Sequence, residues 1–71
     1  MEKIAIRDQS IRLGQFLKLA SAVSTGGEAK ARIQAGEVRV NGEVEYRRGA
    51  QLHAGDQVVI DGRTLQAVLP G

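Results

Sequence analysis

The sequence predicts an α+β fold: a two-helix hairpin packed against a small, mostly antiparallel sheet. Two observations carry this. Apolar residues recur at helical spacing from Leu13 to Ile33. From Glu37 onward the period changes to two, broken by Asn41-Gly42, Gly55-Asp56 and Asp61-Gly62. No repeat, linker or low-complexity stretch divides the 71 residues, so helices and sheet are expected to share one core in one domain, residues 1–71. A chain of this length lies near the lower limit at which an apolar core is stable without disulfides or metals.

Lys3 to Arg7 places Ile4 and Ile6 in alternation with polar or small residues and predicts a first strand. Ser10 is read as the cap of a helix from Ile11 to Val23, whose apolar stripe is Leu13, Phe16, Leu17, Ala20 and Val23. Thr25-Gly26-Gly27-Glu28 fits a capping box, with the glutamate reaching back to the cap amide, and opens a second helix. Ala29 and Ile33 are its apolar positions, and Gly36 lies just past its end.

Val38 and Val40 alternate with Arg39 before Asn41-Gly42, a strong hairpin signal. A two-residue turn would set Val40 opposite Glu43. A three-residue loop, which pairs Val38 with Val44 and Arg39 with Glu43, is favoured here because it keeps the valines on one face. After the loop Tyr46 to Gly49 come Leu52, a strand from Gln57 to Ile60, and a last strand from Thr64 to Val68, with Arg63 in a turn away from the helix pair.

Composition bounds the chemistry. With 42% hydrophobic and 25% charged residues the chain reads as an ordinary globular domain. It has no cysteine and one histidine, His53, so disulfides, thiolate metal sites and the usual zinc ligand sets are excluded, and no cofactor is expected. The opening MEKIAIRDQS has neither signal-peptide nor membrane-span character, which predicts a cytoplasmic protein.

No nucleophile, base and acid constellation surrounds His53, and Gly26-Gly27 lacks the flanking pattern of a phosphate loop. Asp56 and Asp61 adjoin glycines in turns, where aspartate is favoured for local hydrogen bonding. The expectation is therefore a protein that is not an enzyme. Ten basic against eight acidic residues give a net charge of +2, a weak lean toward polyanions. One Phe and one Tyr argue against stacking successive bases, so any nucleic-acid contact would rest on Arg, Lys and backbone amides.

The run Arg12-Leu13-Gly14-Gln15-Phe16-Leu17, the capped turn into Glu28-Ala29-Lys30, and then Ile33, Gly36, Val38-Arg39-Val40-Asn41-Gly42 and Gly55-Asp56 resemble the S-four RNA-binding domain. The likeness covers Ile11 to Ile60. Through LGQFLK, TGGEAK and RRG it extends to the small standalone bacterial members of the YbcJ and YaaA type. It implies a non-catalytic module that binds structured RNA, ribosomal RNA or the ribosome first among them; the residues themselves, with one sizeable apolar set and no span, predict a monomer with no membrane or small-molecule substrate. Three positions depart from the family: Gly14 stands where an acidic residue is common, Gly26 where Arg is, and Ala31 where a basic residue is. A rival reading follows from those missing cations, namely a protein-interaction adaptor that keeps the fold and has lost most RNA affinity.

Eight residues are candidates for RNA contact, each with a plainer alternative. Gly26 and Gly27 open the second helix, where free amides suit a phosphate, or they merely permit a tight turn beside a repelling Glu28. Lys30 and Arg32 lie about 200° apart around that helix and flank its apolar stripe; Lys30 replaces a basic position of the family. Arg12 and Lys18 lie off the stripe of the first helix, as solvated charges also do. Arg47 and Arg48 form the densest positive spot, in a loop and suited to bidentate phosphate binding, or they pair with Glu43 and Glu45.

Overall fold

The protein is described by a computed structural model over residues 1–70. Strands β1 (Glu2–Ala5) and β2 (Ser10–Arg12) precede helices α1 (Leu13–Leu19) and α2 (Gly26–Gln34). Strands β3 (Arg39–Val40), β4 (Glu43–Val44), β5 (Gln51–His53), β6 (Gln57–Ile60) and β7 (Arg63–Val68) follow. The five-stranded sheet has the order β1-β7-β6-β3-β4, and β2 and β5 form a separate antiparallel ribbon. Among the described residues only the β1–β7 pair is parallel; the rest of the larger sheet is antiparallel. The expected α+β class is the one observed.

One core joins both layers. Leu13, Phe16 and Leu17 of α1 and Ala29 and Ile33 of α2 cluster with Leu52, Val58, Ile60, Leu65 and Ala67 from the strands. Val58 and Ile60 alternate with half-buried neighbours, as a strand with one covered face requires. Among the described residues no polar or charged side chain is buried, so the interior is purely apolar. No helix among them is long and apolar enough to cross a membrane.

Helix α1 is shorter at both ends than expected. Ser10 caps nothing: with Ile11 and Arg12 it is paired to His53, Leu52 and Gln51, a partner segment that local sequence cannot reveal. Instead of a side-chain cap, the first amides of α1 find carbonyls across the chain, Leu13 N–H donating to Ala50 O at 2.8 Å and Gly14 N–H to Arg48 O at 3.0 Å. Its other end is a Schellman motif, with Ser21 N–H donating to Lys18 O and Ala22 N–H to Leu17 O. Ser21 occupies the left-handed position at φ 56°. Val23 therefore joins the core from outside the helix.

Helix α2 starts where expected, Thr25 Oγ1 accepting from Glu28 N–H at 3.0 Å. The reciprocal bond is displaced by one residue: Glu28 Oε1 accepts from Ser24 N–H at 2.7 Å rather than from the cap amide. Gly36, at φ 77°, closes α2 with the same motif, its N–H donating to Ile33 O and that of Glu37 to Arg32 O.

The favoured hairpin register is overturned. Arg39 pairs with Val44 and Val40 with Glu43, because Asn41 (φ 51°) and Gly42 (φ 88°) both turn left-handed and make a two-residue type I′ turn. Burial does not need the valines of both strands on one face, since Val38 is already sealed in the core while Val44 is half-buried. Asp61-Gly62 makes the same kind of turn between β6 and β7, and Arg63 lies in β7 rather than in that turn.

Candidate functional site

The β2–β5 ribbon decides what stands beside α1. Because Arg12 pairs with Gln51, the turn that leads into β5 is laid against the first turn of the helix, where its carbonyls take the amides of Leu13 and Gly14. That turn is closed by Ala50 N–H donating to Arg47 O at 3.2 Å. Along α1, Gly14 and Lys18 are four residues apart and Gln15 and Lys18 three, so all three share one face. The start of α2 completes the enclosure.

The result is an open cleft of about 300 Å³ lined by Arg12, Gly14, Gln15, Lys18, Gly26, Arg48 and Gly49. Its lining contains three cations and no carboxylate. None of the three forms an ion pair among the described residues. Gly26 brings the amide-rich, positive end of α2 to the rim. A second groove, lined by Arg7, Asp8, Ser10, Ile11, Gln15, Lys18 and Leu19, continues from the first across Gln15 and Lys18.

Of the eight sequence candidates, Arg12, Lys18, Gly26 and Arg48 are thus brought together, from three separate segments. Lys30 follows Gly26 by four residues and stands exposed on the same face of α2, one turn beyond the cleft, while Gly27 lies about 100° around the helix from Gly26.

Arg47 and Arg32 are held elsewhere. Arg47 is 80% exposed, and its guanidinium meets Glu45 at 3.3 Å. Hydrogen bonds from the Arg47 side chain and backbone hold the Glu45 carboxyl below the usual glutamate range. Arg32 donates to both Glu37 and Asp61, tying α2 to the β6–β7 turn, and these two carboxylates stabilise its charged form.

Arg63 is not remote from the helix pair. It donates to Glu2 and, at 3.1 Å, to Ala20 O at the C-terminal end of α1. Of the two turn aspartates, Asp56 is held as expected, accepting from His53 N–H at 2.7 Å, and also from Asn41 Nδ2 at 3.1 Å, whereas Asp61 accepts from Arg32, 29 residues away, rather than from its own turn. His53 Nδ1 lies 4.0 Å from the Asp56 carboxylate, and no group of three metal-ligating side chains occurs among the described residues.

Sequence reasoning passed over Gly14, Gln15 and Gly49 as lining residues. Gly14 did carry a signal, a glycine placed early in a helix where no turn calls for one. Gln15 carried none, being an ordinary polar residue on the solvent side of α1.

The sequence profile of the S4 domain matches residues 4–68. A Bacillus subtilis protein named "Probable ribosome maturation protein RlbA" is 49% identical over 59 residues, covering 83% of each chain. YbcJ of Escherichia coli is 36% identical over 58 residues, 82% of this chain and 83% of its own. The solution structure of YbcJ, described as revealing an ALFAL motif involved in RNA binding, superposes with a TM-score of 0.72 at 32% identity, over 96% of this chain and 87% of that one. The ribosomal protein S4e of Thermoplasma acidophilum shares the fold, with a TM-score of 0.61 at 24% identity over 82% of this chain and 31% of its own. With the profile running from within β1 to the end of β7, across both helices, the chain belongs to the S4 domain family.

Proposed function

We propose that the protein is a non-catalytic RNA-binding module that docks the face shared by α1, the start of α2 and the 47–50 turn onto the phosphates of folded RNA, with ribosomal RNA as the target. The observation that carries this is the convergence of Arg12, Lys18 and Arg48 on one cleft with no carboxylate in its lining. Cations from two segments, held beside a helix N-terminus from a third, form a match to a phosphate backbone, which reads shape rather than sequence. The ribosome-maturation name of one relative and the RNA-binding description of another support the same direction. Lys30, Gly27 and Arg47 are peripheral contacts in this reading, and Arg32 a strut. The protein works as one monomeric domain in the cytoplasm, without cofactor.

The test uses purified ribosomal RNA folded with magnesium. Binding is expected to weaken steeply with salt as counterions are released, and an unstructured homopolymer is expected to bind less well, because one Phe and one Tyr cannot stack a splayed strand. Salt-independent binding overturns the electrostatic account. Recovery from cells of the same RNA as a mock control, with a defined protein partner persisting after nuclease, overturns the whole reading in favour of an adaptor.

A further inference from the structure

We infer that Gly14 is a positioning residue for RNA binding: its lack of a side chain is the space through which the stem of Arg48 reaches the cleft. The inference rests on the reading above and deepens it at one position.

A glycine inside a helix needs a reason, because alanine there is more stable. The backbone supplies none, since Gly14 does not have the positive φ found at Gly36, Gly42, Gly55 and Gly62. The reason is a contact. A Cβ on Gly14 would fall 2.6 Å from Arg48 Cγ and 3.3 Å from Cδ, well inside van der Waals distance. Gly26 and Gly49 line the same cleft, yet a Cβ on either meets nothing within 4 Å, so the requirement belongs to Gly14 alone.

The backbone of Arg48 cannot retreat to make room. Its carbonyl accepts the Gly14 amide at 3.0 Å, and the neighbouring Ala50 carbonyl accepts that of Leu13 at 2.8 Å. These two bonds are also the cap of α1, so moving the turn would uncap the helix. The remaining freedom is rotation about the Arg48 Cα–Cβ bond. Because the clash is at Cγ, that rotation swings the whole guanidinium away from Arg12 and Lys18. A side chain at position 14 thus removes the charge of Arg48 from the cleft while leaving the charge in the protein.

The experiment measures binding of magnesium-folded ribosomal RNA across a salt series for the wild type, Gly14→Ala, Arg48→Ala and the double variant, with folding checked by circular dichroism. Arg48→Ala is expected to weaken binding roughly tenfold and to lower the logarithmic salt slope by about 0.7–0.9, the loss of one phosphate contact. Gly14→Ala is expected to reproduce both changes, and the double variant to bind no worse than Arg48→Ala. Wild-type binding by Gly14→Ala, or additive losses in the double variant, overturns the inference and leaves the cleft reading intact. Wild-type binding by Arg48→Ala discards the role of Arg48 in the cleft and the inference with it. If Gly14→Ala does not fold, recovery of folding in the double variant supports the Gly14–Arg48 contact, and continued failure overturns it.

Discussion

Two groups of cations on this molecule look alike in the sequence and differ in what surrounds them. Arg12, Lys18 and Arg48 converge on a cleft without a carboxylate. Arg32 and Arg63 stand on the sheet side of the helices, and each is claimed by acids far along the chain: Arg32 by Asp61, 29 residues away, and Arg63 by Glu2, 61 residues away. Both groups are arginine-rich and solvent-accessible. The lesson is that the partner of a cation is set by topology, because the strand order brings Glu2 to β7 and Asp61 beneath α2, and no acid to the lining of the cleft.

The comparison can be broken outright by removing what both groups stand on. Phe16 is fully buried in the core between helices and sheet, and Phe16→Ala should cost about 3–5 kcal/mol in urea unfolding, a large share of what so small a domain has. RNA binding and the sheet-side ion pairs should disappear together.

A sharper test separates the groups. Replacing Arg12, Lys18 and Arg48 jointly by Ala should lower the logarithmic salt slope of RNA binding by about 2.1–2.7 with little change in the urea midpoint. Arg32→Ala should do the reverse, lowering stability by about 1 kcal/mol and leaving RNA affinity nearly unchanged. Equal affinity losses from both sets would mean diffuse attraction and no site.

The smallest effect is expected in acid. A hydrogen bond from Arg63 is the main reason the Glu2 carboxyl titrates below its ordinary range. A carboxylate with a depressed folded-state pKa contributes stability above its unfolded value and loses it as pH falls through the folded one. Melting temperature should therefore drop on acidification below the ordinary glutamate range in the wild type, and drop less in Glu2→Gln. RNA binding at neutral pH should not differ between the two.

The parts of the fold that were legible in the sequence are those specified by neighbours. Asn41-Gly42 and Asp61-Gly62 announce left-handed turns, and Thr25 with Glu28 announces a helix start, because each acts over a few residues. The register at Asn41-Gly42 follows the backbone preference of the turn itself rather than the face of Val44. Ser10-Ile11-Arg12 reads locally as a helix cap and becomes a strand only because Gln51 to His53 arrives beside it. The same pairing carries Arg48 to Gly14. Four of the seven residues lining the candidate cleft follow from residue type and the resemblance, but their convergence does not, since it depends on that long-range ribbon.

The lone parallel pair has a consequence for the order of events in folding. β1 leaves the ribosome before β2 to β7, yet its place in the sheet is beside β7, with Glu2 opposite Leu65 and Ala5 opposite Val68. Closing so long a loop is entropically costly and comes before the contacts that offset it. The helices and the β3–β4 and β6–β7 hairpins can form from local contacts while β1 waits, with Ile6, otherwise sealed in the core, still in water. β1, made before the strand it pairs with, is thus the last of the seven to dock, and substitutions in it should speed unfolding far more than they slow folding.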